Sequence, residues 1–166
     1  GSFVVKIDKS ELTSVSVSQK GTLTYTGNEQ TADVNTAAKT VDGSTASFTY
    51  SAQENGTYTA TVPSFTNVGM HTVYYKAAAL YHDVYAGSFV ITINKASMDN
   101  NSITAVGYDH PYDGKEHSIT AAASLSDSVL YYSTDGKIWN KNSPTWKNVT
   151  TAQMVYVKAV NDNYED

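Results

Sequence analysis

The chain contains no cysteine, and its 11 basic residues are all lysine. Without cysteine no disulfide can staple the fold, so stability has to come from packed cores. Without arginine there is no rigid fork for phosphates or base edges, and the lysines form no cluster. With a net charge of −5, nucleic acid is therefore not expected as a partner. No apolar run approaches the length of a membrane span and no signal-peptide core is present, so membrane insertion is not expected either. No segment sustains apolar residues at i, i+3, i+4 and i+7. The best helical candidate is Ala77–Leu80, and because its counterpart Ala159–Asp162 reads as a loop, both are assigned as loops. The chain has neither a Gly-x-Ser-x-Gly elbow nor a His-Glu-x-x-His pair, and an enzyme is not expected.

What the chain does have is one paragraph written twice. Tyr25-Thr26-Gly27-Asn28-Glu29-Gln30-Thr31 returns as Tyr112-Asp113-Gly114-Lys115-Glu116-His117-Ser118. Pro63-Ser64-Phe65-Thr66-Asn67-Val68 returns as Pro144-Thr145-Trp146-Lys147-Asn148-Val149, and Val73-Tyr74-Tyr75-Lys76-Ala77 as Val155-Tyr156-Val157-Lys158-Ala159. Tyr25 to Tyr112 is a step of 87, Pro63 to Pro144 one of 81, and Val73 to Val155 one of 82. A tandem pair of domains follows, each about 80 residues long and each able to build a small core.

The residue chemistry is that of strands. Thr, Val and 13 Tyr dominate, in period-two runs bounded by Gly, Asn and Asp. Alternation turns Val73, Tyr75 and Ala77 inward with Val155, Val157 and Ala159, and turns Tyr74, Lys76, Tyr156 and Lys158 outward. Strands with one wet face belong to antiparallel sheets. Asn55-Gly56 is expected to join Phe48–Ser51 to Tyr58–Thr61, and Asp135-Gly136 to join Val129–Tyr132 to Ile138-Trp139, both as type I′ hairpins. Thr26-Gly27 and Asp113-Gly114 mark an earlier turn opening onto strands Thr31–Val34 and Ser118–Ala122. Asn35–Ser44 has no counterpart and reads as an insertion in the first copy.

One further strand also occurs twice. Gly87-Ser88-Phe89-Val90-Ile91-Thr92-Ile93-Asn94-Lys95 is nearly the same as Gly1-Ser2-Phe3-Val4-Val5-Lys6-Ile7-Asp8-Lys9. If this strand opens each module, the domains are 3–87 and 88–166. If it closes each module, they are 10–96 and 97–166, with 3–9 a remnant strand and the second domain lacking its last one. The Gly1-Ser2 start reads as a tag remnant, and the extra strand reads as a cut from a longer array. An unpaired edge invites a partner chain. A monomer is the first expectation, and head-to-tail pairing through 3–9 follows from the closing framing.

The order Tyr-x-Gly-x-x-Gln, Tyr-Ser-x-x-Gly-x-(Tyr/Trp), Pro-x-(Phe/Trp)-x-Asn-Val-Gly and Val-Tyr-x-Lys-Ala, then a strand ending in Lys-Ala, resembles bacterial Ig-like repeats. These are the MBG-type and adhesin-stalk modules of extracellular surface proteins in Firmicutes and related gut bacteria. The resemblance rests on Tyr25, Gly27, Gln30, Tyr50, Ser51, Gly56, Tyr58, Pro63, Phe65, Asn67, Val68, Gly69 and Tyr74. In the second copy it rests on Tyr112, Gly114, Tyr132, Ser133, Gly136, Trp139, Pro144, Trp146, Asn148, Val149 and Tyr156. His117 departs from the Gln and Thr150 from the last Gly. The resemblance implies two tandem Ig-like antiparallel β-sandwiches, extracellular at a cell surface or secreted. Their role would be structural: spacers presenting adhesive or catalytic domains, with neighbouring repeats as partners. A fold of this kind hosts binders as well as spacers.

The binding alternative falls on Tyr131, Tyr132, Trp139, Asn140 and Trp146, since sugar rings stack on exposed aromatics while amides take their hydroxyls. Host or dietary glycans, mucin among them, would be the ligands. Against it, Trp146 stands where the first copy has Phe65, and Trp139 where it has Tyr58, both positions that suit packing. Ser133–Trp139 resembles an Asp-box hairpin one residue short between Asp and Gly, but a type I′ hairpin with a packed Trp accounts for it. The histidines His71, His82, His110 and His117 read as surface residues. No cofactor is expected, although Asp99, Asn100, Asn101 and Asp109 or Asp113 supply oxygens for an interdomain calcium. A Lys isopeptide is not expected, because Lys76 and Lys158 face outward.

Overall fold

The structure, a computed structural model, describes residues 1–99 and 102–165. It is all β, with several small sheets and no helix among the described residues, an arrangement consistent with the β-sandwich class. It divides into two compact units, Gly1–Asn94 and Lys95–Asp166.

In the first unit, β1 (Thr13–Gln19) pairs antiparallel with β4 (Val34–Lys39). A second sheet runs β2 (Leu23–Thr24), β8 (Tyr85–Asn94), β7 (Gly69–Ala78), β5 (Ser47–Ser51). The short β3 (Gln30–Thr31) and β6 (Ser64–Phe65) pair at one end. Among the strand ladders, β2 alone runs parallel, to β8. Between the layers sit Val17, Ala32, Tyr50, Val62, Val73, Tyr75, Phe89 and Ile91. Val73 and Ile91 are fully buried, as their alternation requires, and Lys76 is exposed.

β8 closes this core. It is hydrogen-bonded to β7 from Gly69↔Ile93 to Ala77↔Tyr85 on one side and to β2 on the other. The Gln19 side chain clamps it near its C-terminal end, with Nε2 donating to Thr92 O at 3.2 Å and Oε1 accepting from Thr92 N at 2.7 Å. Phe89, Ile91 and Ile93 are 8%, 0% and 1% exposed, and each such side chain contributes about 1.5–3 kcal/mol on burial. The division after Asn94 keeps β8 with the strands that flank it.

The second unit repeats much of this skeleton. β9 (Ile103–Val106) and β10 (Thr120–Ala123) stand for β1 and β4, and β11 (Val129–Ser133) and β12 (Tyr156–Val160) for β5 and β7. The Gln30↔Phe65 pair recurs as His117↔Trp146, and Tyr50↔Thr59 as Tyr132↔Asn140. Even the parallel bridge Ser10↔His82 recurs as Ala96↔Tyr164. Gly27 and Gly114 both have φ +79°, the left-handed conformation that glycine adopts without a Cβ penalty. Of the first unit's long strands, only β8 has no counterpart among the described residues of the second.

Four expectations are corrected. Residues 3–9 are no strand: they find no ladder partner and lie exposed, because the places beside β7 are already taken by β8 and β5. The loops at Asn55-Gly56 and Asp135-Gly136 are not type I′ turns, since neither dipeptide has two positive φ angles. Both are wider, closing only at Tyr50↔Thr59 and Tyr132↔Asn140. Ala77 and Ala78, assigned to a loop, are the last residues of β7. Finally, His82 is not a surface residue but 2% exposed. Its Nδ1 bonds Leu80 O at 2.7 Å, and its Nε2 accepts from Val41 N at 3.3 Å. The insertion in the first copy provides that cover: it lengthens β4 and lays Val41 and Asp42 against the ring. Asn100 and Asn101, of the calcium expectation, lie outside the described residues.

Ile91→Ala removes a fully buried side chain from the strand that closes the first core. It should cost about 2–5 kcal/mol, read as lost hydrogen-exchange protection of the β7 amides against wild type.

Candidate functional site

The five residues singled out for ligand binding do not form one site. Tyr131 and Trp139, both half-buried, share one place with two lysines. Lys158 Nζ lies 4.9 Å from the Trp139 ring centre and 5.8 Å from that of Tyr131, and Lys141 Nζ lies 5.9 Å from Tyr131. The first unit builds the same pairing, Lys76 Nζ lying 4.2 Å from the Tyr58 ring. An ammonium over an aromatic face is a stabilising contact of about 0.5–1 kcal/mol at a surface, so its recurrence has a structural cause. Alternation puts the lysine on the outer face of β7 or β12, and the loop brings the aromatic beneath it.

Tyr132 and Asn140 are joined through their backbones, by Tyr132 N to Asn140 O at 2.7 Å and the reverse bond at 2.9 Å. They border a shallow hollow of about 420 Å³. Beside it, a small hydrogen-bond network shapes the loop. Asp135 Oδ1 accepts from Ile138 N at 2.9 Å, Lys137 N at 2.8 Å and the Ser133 hydroxyl at 2.8 Å. Ser133 Oγ in turn accepts from Gly136 N at 2.9 Å. These bonds stabilise the ionised carboxyl, the two backbone N–H groups most and the hydroxyl after them, and hold its pKa below the ordinary value. This is why the loop needs no type I′ turn: side-chain acceptors take the N–H groups that a tight hairpin would leave to its own backbone.

Trp146 belongs elsewhere, bordering a cleft of about 570 Å³ between residues 107–113 and 146–155. Its backbone pairs with His117, in the pattern Phe65 makes with Gln30. His117 Nε2 donates to Asp113 Oδ1 at 2.7 Å, and the Tyr108 ring stacks on the imidazole at 3.8 Å. That bond, and then one from Lys115 N, holds the Asp113 carboxyl below the usual range. The sequence reads His117 as a surface residue and does not join it to Asp113. The usable signal was the spacing of four across the Gly114 turn, which brings Asp113 and His117 together. Thr26 and Gln30 hold these places in the first copy, so the pair is not repeated.

No family model matches the chain, and neither a curated protein nor a solved structure matches it. The chemistry available is therefore judged from the residues alone. Among the described residues no group of three or more His, Cys, Asp or Glu is placed to share a metal ion. The Asp113–His117 pair has one carboxylate and one imidazole, beside a tyrosine and with no nucleophile in the described contacts.

The Asp135 network makes the loop acid-sensitive. A depressed folded pKa means its contribution is complete above the unfolded value and is lost as pH falls through the lower folded one. Amide protection of Lys137 and Ile138 should fall over that acid range. In Asp135→Asn, which cannot ionise, it should be weaker at neutral pH and flat on acidification, as followed by NMR.

Proposed function

We propose that the chain is a pair of tandem Ig-like β-sandwich modules acting as a non-catalytic spacer in a bacterial cell-surface or secreted protein. The observation that carries this reading is the doubled skeleton. The features that recur are those that hold a fold together: the bridges Tyr50↔Thr59 and Tyr132↔Asn140, and Ser10↔His82 and Ala96↔Tyr164. The lysine–aromatic pairs Lys76–Tyr58 and Lys158–Trp139 recur as well. The polar groups that could act on a ligand, such as Asp113 with His117, occur once. A unit reproduced for its backbone, while its surface groups differ, is what a spacer requires, since length and stiffness reside in the backbone ladders.

A second reading, a module for anionic glycans such as mucin, is favoured by one place only. There the half-buried faces of Tyr131 and Trp139 lie beside Lys141, Lys158 and the exposed Asn140. Stacking on the rings and charge from the ammonium groups could act together on an acidic sugar.

Affinity electrophoresis through gels containing mucin or plant and host polysaccharides separates the two. The spacer reading expects unchanged mobility in every gel. Retardation that disappears in Trp139→Ala, with the circular dichroism unchanged, would replace it by the glycan reading.

A further inference from the structure

The cleft beside Trp146 has the position of a strand. In the first unit β8 lies between β2 and β7. A step of 87 carries β2 onto His110-Pro111, and a step of 82 carries the first half of β7, Gly69–Val73, onto Thr151–Val155. These two stretches face each other across the 570 Å³ cleft. The cleft is thus the slot that β8 fills in the first unit.

The backbone around it behaves as a ladder missing one member. β5 covers only residues 74–78 of β7, and β8 alone pairs with 69–73. In the second unit β11 covers the matching residues 156–160, and there the strand stops. Thr151–Val155 has no ladder partner among the described residues and is not strand. The apolar lining is left open as well. Tyr108, Tyr112 and Val149 are all exposed, and Ala105, which pairs with Ala121 as Gln19 does with Val34, has no side chain long enough to clamp a strand. Of the buried apolar residues in the described chain, only Ala159 belongs to the second unit.

The same molecule carries a strand that fits. Phe3, Val5 and Ile7 repeat Phe89, Ile91 and Ile93 at a step of 86. They are 95%, 87% and 91% exposed, while their counterparts are buried. We propose that residues 3–9 of one copy of this chain insert into the slot of the second unit of another copy, antiparallel to Thr151–Val155, so that chains associate head to tail. The register follows from the first unit, where Val73 faces Phe89, Thr72 faces Val90 and His71 faces Ile91. It sets Phe3 opposite Val155, Val4 opposite Met154 and Val5 opposite Gln153. Main-chain bonds supply affinity and the alternate side chains supply register, the mode in which an extended segment completes a sheet. Tyr112, standing where Tyr25 donates its N–H to Asn94 O at 2.9 Å, is placed to do the same for Asp8. The contact is heterologous, so it builds open chains rather than closed dimers.

Two measurements on the whole chain test this. In sedimentation velocity the average mass should rise with concentration through multiples of one chain. Val5→Asp and Ile7→Asp should abolish that rise with an unchanged circular dichroism spectrum, because the segment carrying them packs against nothing. Since the chain has no cysteine, Val4→Cys and Met154→Cys chains can be mixed and oxidised. A disulfide between the two should form about tenfold faster than between Lys6→Cys and Met154→Cys, which the register holds apart. A wild type that stays monomeric up to about 1 mM, or association undiminished in Val5→Asp and Ile7→Asp, overturns the proposal. So does a Val4→Cys/Met154→Cys double variant that closes its disulfide within one chain, which would seat the chain's own segment in the slot.

Discussion

The first unit depends on one strand having partners on both edges. β8 satisfies its backbone against β7 and β2, and the same ten residues bury Phe89, Ile91 and Ile93 against the opposite layer. The two effects are inseparable: alternation aims the apolar side chains at the core only while the ladder holds the register. Its second edge is held at the C-terminal end, where β2 pairs with Ile93 and Asn94 and the Gln19 side chain bonds Thr92. Where β8 is present the fold closes; in the second unit, the same backbone without it leaves a cleft and exposed Tyr and Val side chains.

The two units are in effect an internal comparison. Each has the glycine turn, the lysine over an aromatic ring, the antiparallel bridges and the parallel bridge beside its terminal strand. They differ at the insertion of the first copy and at the place of β8, which no strand takes in the second unit among the described residues. Residues 40–42 of the insertion enclose His82, while the equivalent Tyr164 has no such segment over it in sequence. The missing ladder partner shortens β12 to half the length of β7, five residues against ten. The backbone of a strand persists only as far as a neighbour accepts its hydrogen bonds.

Much of this was legible in the residues. The inward set Val73, Tyr75 and Ala77 could be read directly, because period-two alternation translates into sheet faces without knowledge of the partner. The turns at Gly27 and Gly114 were equally readable, since few residues other than glycine take that φ. Asp135-Gly136 was misread for a definite reason. The dipeptide is a strong hairpin signal, but the Ser133 and Asp135 side chains supply acceptors that make a wider loop stable. His82 was misread because its burial depends on a segment some 40 positions away in sequence. The aromatic residues grouped by sequence proximity fell into three places, because neighbours along a strand, such as Tyr131 and Tyr132, point to opposite faces.

By itself, then, the sequence determined the doubled organisation, the strand character and the side chains that face inward, since all of these are local or periodic properties. It also held two versions of one strand without indicating which would pair. Only the tertiary structure decided that. Pairing depends on which edges remain open once nearer strands have bonded: Phe89–Asn94 found two open edges in the first unit, and Phe3–Lys9 found none there. The slot that matches Phe3–Lys9 is a property of the folded second unit, formed by segments far apart in sequence, and no local pattern marks it.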